Sequence, residues 1–160
     1  MLYPGDRRAC FFEKLAPFRP DHPGVIVEPI RREWIASRLI AGFRINDPKG
    51  ERRWLDLRSP ETYADFRERF RVVLAEYGYR DFDLAAAASD QRRLTQQIGR
   101  WAHEQGYSGI HDCTRHTPKL SCWAIFDGID LIDVKETPVS TDDEDLRAVA
   151  RAWDLALPST

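Results

Sequence analysis

Residues 59–78 constrain the fold more than any other stretch, because they spell a helix from cap to stop. Ser59 supplies a capping hydroxyl. Pro60 falls at the first helical position, where a missing N–H costs nothing, and Gly78 ends the run. Between them Tyr63, Phe66, Phe70, Val73, Leu74 and Tyr77 recur at helical spacing. That stripe predicts a single amphipathic helix over 60–77 with one buried face. A second helix is expected over about 91–105, with Leu94, Ile98, Trp101 and Ala102 on one face and Gly106 at its end. A third, over about 142–156, opens with Asp142, Asp143, Glu144 and Asp145 at the positive end of the helix dipole. Its Leu146, Val149, Trp153 and Leu157 keep helical spacing. A shorter helix covers 7–16, bounded by Pro17, with Ala9, Phe12 and Ala16 at helical spacing as its expected buried face.

Strand signals fall between these helices. Val25-Ile26-Val27 is a compact β-branched run, Leu39–Ile45 reads as a strand, and Trp54-Leu55-Asp56-Leu57 alternates. Gly109–Cys113, Cys122–Phe126 and Ile129–Val134 are three more, closely spaced after the second helix. Strands and helices interleave without regular βαβ units, which predicts an α+β fold. At 160 residues with 42% hydrophobic and 31% charged side chains, the chain suits one globular domain over 1–160. The Pro-rich stretch 17–23 and Asp47–Gly50 then read as loops within it. No apolar run approaches the roughly 20 residues of a membrane helix, and the first residues are no signal peptide. Cys10, Cys113 and Cys122 include no CxxC pair, so they read as reduced thiols of a cytoplasmic protein.

Charge excludes one class of partner. Residues 1–80 carry 16 Lys+Arg against 12 Asp+Glu, and residues 81–160 carry 8 against 14. Only 4 of the 24 basic residues are lysine, and arginine suits bidentate contact with phosphate or carboxylate. A basic half diluted by so many acids is no nucleic-acid stripe, and a pI near 6.1 agrees. The chain lacks a glycine fingerprint for nucleotide phosphates, an HExxH pair and a Gly-x-Ser-x-Gly elbow. His111, Cys113, His116 and Cys122 are zinc-ligand types, but their spacing fits no common zinc module, and core cysteines are the better reading. The polar run His111-Asp112-Cys113-Thr114-Arg115-His116-Thr117, just before Pro118, is expected at a strand edge or loop, where binding groups gather.

The stretch from Leu94 to Asp127 resembles the C-terminal half of the RES domain. The resemblance rests on Thr95-Gln96, Gly109-Ile110, Thr114-Arg115 and Ala124-Ile125-Phe126, in order. Leu2-Tyr3 followed by Ala9 and Glu13 is similar to the family's Leu-Tyr-x-Ala strand and Glu-bearing helix. Trp54-Leu55-Asp56-Leu57 looks like its Leu-Asp-Leu strand. Each motif is short, and together they span most of residues 2–135. The resemblance implies an ADP-ribosyltransferase-like fold and an NAD-consuming toxin of a bacterial toxin–antitoxin pair. Such a toxin cleaves the nicotinamide–ribose bond by hydrolysis, phosphorolysis or ADP-ribosyl transfer. It further implies Glu13 as the catalytic carboxylate, Tyr3 as the nicotinamide platform, and Thr114 with Arg115 as ribose or phosphate contacts. NAD would be the substrate, no metal would be needed, and a cognate antitoxin would be the partner, with DNA contact left to that antitoxin.

Two departures accompany the resemblance. Threonine stands where the family has serine, which keeps the hydroxyl and stiffens the side chain. The family arginine lies upstream of the Leu-Tyr strand in a Gly-rich hairpin, whereas Tyr3 is the third residue here. The resemblance thus implies either an upstream start or an N-terminally shortened member. The alternative expectation is a non-catalytic interaction domain that keeps the fold without that arginine.

Overall fold

The computed structural model describes residues 2–4, 6–20, 28–87, 91–114 and 116–158. Helix and strand are mixed, compatible with the α+β expectation. The chain divides into two compact units, Met1–Gly5 with Asp47–Ile129, and Asp6–Asn46 with Asp130–Thr160. The expected strand Val25–Val27 lies outside the described residues.

The first unit is built on a four-stranded sheet. Its strands are β1 (Leu2–Pro4), β3 (Trp54–Asp56), β4 (Gly109–Thr114) and β5 (Thr117–Ile125), in the order β1-β5-β4-β3. β5 is antiparallel to both β1 and β4, while β3 and β4 run parallel. β5 starts five residues before the expected Cys122, so His111–Thr114 of the polar run belong to β4, and Thr114 pairs with Thr117 where the β4–β5 ladder ends. Leu55 and Ile110 sit in a core with Phe66, Phe70, Leu74, Phe82, Leu94, Ile98 and Ala102. The helical side chains come from α3 (Pro60–Arg69), α4 (Arg71–Glu76) and α6 (Arg92–Glu104) and the residues between them, and α5 (Leu84–Ala87) adds Ala86 and Ala87. α6 matches its expected bounds, and Gly106 at φ +75° reverses the chain after it, a conformation that suits glycine.

The single helix expected over 60–77 is corrected to two. Ser59 does cap it, its hydroxyl accepting the Thr62 N–H at 3.1 Å. Phe70, however, leaves the helical basin at φ −102°, ψ 13° and divides α3 from α4. The Phe70 ring meets Phe66 edge-on at 5.0 Å. Periodicity cannot foresee such a break, because every residue on both sides still fits one stripe.

The second unit pairs β2 (Leu39–Ile45) with β6 (Leu131–Pro138) in an antiparallel ribbon. A register shift lies between Gly42 and Arg44, and Asp133 opposite it takes φ +54° and pairs with Arg44. Helices α1 (Arg7–Leu15), α2 (Arg32–Ala36) and α7 (Glu144–Ala152) enclose an aliphatic core of Leu15, Ile30, Ile35, Val139, Leu146 and Val149 with Phe11. α7 ends four residues short of the expected 156. Asp154 at φ +54° takes the place glycine usually holds, and the Leu155 N–H and Asp154 N–H bond back to the Ala150 and Arg151 carbonyls. In α1 the buried face is Ala9, Phe11 and Leu15, a correction to the expected Ala9, Phe12 and Ala16. Phe12 instead meets Trp153 edge-on at 5.0 Å. No described helix is long and apolar enough to cross a membrane.

Candidate functional site

Each residue singled out from the resemblance has a definite place or falls outside the description. Glu13 is half-buried on α1, in the second unit. Tyr3 and Thr114 belong to the first unit. Tyr3 sits in β1 opposite Trp123 of β5. Thr114 ends β4, is only 2% exposed, and its hydroxyl accepts the His116 N–H at 3.2 Å. Arg115 lies outside the described residues. The hydroxyl of Thr114 is therefore part of the hairpin's own closure, consistent with a small polar residue next to the register shift between Cys113 and Thr114.

The first unit contains a second polar grouping, at the carboxyl ends of the parallel strands β3 and β4. Strand alternation puts Trp54 and Asp56 of β3, His111 of β4 and Trp123 of β5 on the same face, opposite the apolar core. Gly109 makes room for it. A Cβ there would meet Cζ3 of Trp54 at 2.7 Å, so the absent side chain lets Trp54 lie across β4 and meet Trp123 edge-on at 5.1 Å. The Trp123 ring stacks on His111, with centroids 3.9 Å apart and planes 12° from parallel.

Arg58, just beyond β3, ties three strands together. Its Nε and Nη2 donate to the two Asp56 oxygens at 3.1 and 3.3 Å, and Nη2 also lies 3.0 Å from His111 Nδ1. Its Nη1 reaches the Ser121 hydroxyl at 3.5 Å. The backbone supports this arrangement. The Arg58 N–H donates to Asp56 Oδ1 at 2.9 Å, and the Thr62 hydroxyl donates to the Asp56 carbonyl at 2.7 Å. The strand-to-helix turn thus holds its own carboxylate in position.

Electrostatics follow from this geometry. A guanidinium can only donate, so His111 Nδ1 accepts and the neutral ring carries its proton on Nε2. Burial, then the Arg58 charge, lowers the His111 pKa below its ordinary value, against the pull of Asp56. Its Nε2 is buried without a hydrogen-bond partner among the described residues. Burial alone would raise Asp56, but hydrogen bonds from the Arg58 side chain and backbone bring it below the usual carboxylate range.

On the other side of β4, burial raises Asp112 although its carboxylate accepts the Cys113 N–H at 2.7 Å. Cys113 is raised too, by burial and by Asp112, so its thiol is the opposite of an activated nucleophile. β4 therefore carries a carboxyl of raised proton affinity on one face and a neutral imidazole on the other. Oppositely tuned groups of this kind are what acid–base chemistry employs.

Of these residues the sequence singles out the 111–117 run and, for the resemblance, Trp54-Leu55-Asp56-Leu57. Asp56 was visible within an alternating strand, but nothing local announces Arg58 or Trp123 as its neighbours. The four zinc-ligand types do not converge: Cys122 faces Asp112 across the β4–β5 ladder, while His111 faces Trp123 one step away on the opposite face. The described residues contain no group of three or more side chains set to hold a metal ion. No protein-family model, curated protein or solved structure matches the chain.

Proposed function

We propose that this chain is a RES-type domain that consumes NAD by cleaving its nicotinamide–ribose bond. The observation that supports it most is the company of four strands. Leu2-Tyr3, Trp54-Leu55-Asp56, Gly109-Ile110 and Ala124-Ile125, each quoted for the resemblance, all belong to the one four-stranded sheet. In this reading Glu13 is the carboxylate that stabilises positive charge developing on the ribose. Tyr3 holds the nicotinamide ring, and Thr114 and Arg115 contact ribose or phosphate. The setting is a bacterial cytoplasm, and a co-expressed antitoxin protein holds the domain inactive.

One observation favours a second reading, a non-catalytic interaction domain. The Thr114 hydroxyl is buried and already accepts a backbone N–H of its own hairpin. A single assay separates the two. Nicotinamide release from NAD is measured for the wild type and for Glu13→Gln, with a thermal melt of each. The catalytic reading expects release by the wild type and a loss on the order of a hundredfold or more in the variant. It also expects a melting point little changed, because Glu13 is not in the buried face of α1. A folded variant with wild-type turnover removes Glu13 from catalysis. A wild type that releases no nicotinamide removes the catalytic reading and leaves the interaction domain.

A further inference from the structure

His111 Nδ1 lies between two groups that ask for opposite protonation states. Arg58 Nη2, 3.0 Å away, needs Nδ1 as an acceptor and so needs a neutral ring. Asp56 Oδ2, 3.6 Å away, is best served by a protonated ring whose Nδ1–H donates. Asp56 and Arg58 are also each other's partners, so a change at His111 reaches both. From the geometry we infer that Asp56, Arg58 and His111 form a proton-operated clasp. Neutral His111 accepts from Arg58 Nη2, while protonated His111 donates its Nδ1–H to Asp56 Oδ2 and displaces Nη2, leaving Arg58 held to Asp56 through Nε.

The surroundings support a two-position exchange rather than a gradual drift. Stacking on Trp123 at 3.9 Å keeps the imidazole in its plane, so the ring stays beside both partners in either state. The charged groups facing it are few among the described residues. Asp56 and Arg58 approach from the β3 side, Asp112 acts from the other face of its own strand, the Cys113 thiol acts on Arg58, and β5 contributes the uncharged Trp123 and Ser121. The Arg58 side chain is 39% exposed, so a displaced Nη2 has solvent to enter. The His111 side chain is 14% exposed and does not. Burial and the Arg58 charge both favour the neutral ring, which sets the exchange on the acid side of an ordinary histidine. The inference concerns a device within the first unit and does not depend on NAD being a substrate.

The test is nitrogen-15 NMR of the full chain between pH 8 and pH 5. At pH 8 the expected spectrum shows His111 with Nε2 protonated and Nδ1 bare, and a protected Arg58 Nε–H. On acidification His111 should titrate with a midpoint below 6.5, the ordinary histidine value, and the Arg58 signals should move with the same midpoint. In Arg58→Ala the His111 midpoint should rise, because a repelling cation is gone. In Asp56→Asn it should fall further, because the carboxylate that receives the protonated ring is gone. Arg58 signals that stay constant through the His111 titration overturn the proposal, as does a neutral ring protonated on Nδ1. The wild-type titration decides the matter even if a variant fails to fold.

Discussion

In the second unit arginine meets aspartate where a helix begins. Arg7 pairs with Asp143 and Asp145, and Arg8 with Asp145, while Asp143 also accepts the Asp145 and Leu146 N–H groups as the cap of α7. In the first unit arginine meets aspartate where a strand ends, and the third party is an imidazole. The cores differ as well. Phe66 of the first unit touches the rings of Phe70, Phe82 and Trp101 edge-on at 5.0–5.1 Å, whereas the second unit packs mainly Ile, Leu and Val. The comparison teaches that an Arg–Asp pair takes its meaning from its neighbour. Beside orphan N–H groups it anchors a helix, and beside a titratable ring it tunes a proton.

The core contrast gives the largest expected effect. Phe66→Ala removes the ring on which three others converge and should cost about 3–5 kcal/mol, read as a fall in urea midpoint. Ile35→Val, equally buried in the aliphatic core, should cost about 0.5–1.5 kcal/mol. Equal losses would show that the Phe66 ring contributes no more than one methyl group of the aliphatic core.

The ion-pair contrast comes next. Asp143→Ala removes a cap and one of the two carboxylates paired with Arg7, and should cost about 1–2 kcal/mol in the same measurement. Arg8→Ala, at an exposed site, should leave the midpoint where it was. If Arg8→Ala destabilises as much as Asp143→Ala, the cluster works through summed charge and not through capping.

A small effect of opposite sign belongs to Asp112. Its folded pKa lies above the ordinary 3.8, so the folded state disfavours the carboxylate, and stability is lost as pH rises from 3.8 through the raised value. Asp112→Asn keeps an acceptor for the Cys113 N–H and removes that charge. It should raise the melting temperature at pH 7 by an amount worth less than about 1 kcal/mol, and make no difference below pH 3.8. A variant that melts lower at pH 7 would show the carboxylate to be a net stabiliser of the β4–β5 hairpin.

Much of the local structure was legible in the chain. Ser59 and Pro60 started a helix, Gly78 and Gly106 lie in the left-handed turns that follow α4 and α6, and β2 kept the expected bounds Leu39–Ile45. These signals act within four or five residues, through a cap, a missing N–H or a φ that only glycine takes easily. Of the candidate site, the 111–117 run was visible as polar residues between strand signals, and Asp56 only as one member of an alternating strand.

The tertiary structure decided the rest. It broke the 60–77 stripe at Phe70, buried Phe11 in preference to Phe12, ended α7 at an aspartate in a glycine-like conformation, and sent β6 to β2 rather than to its neighbour in sequence β5. Each choice turns on which apolar faces, distant along the chain, are buried together, and periodicity records only that a face exists. The meeting of Asp56, Arg58, His111 and Trp123 belongs to the same class. Residues more than fifty positions apart become neighbours because β3 pairs parallel to β4 and β5 folds back beside it, and that pairing is set by the burial of Leu55 and Ile110 on the opposite face.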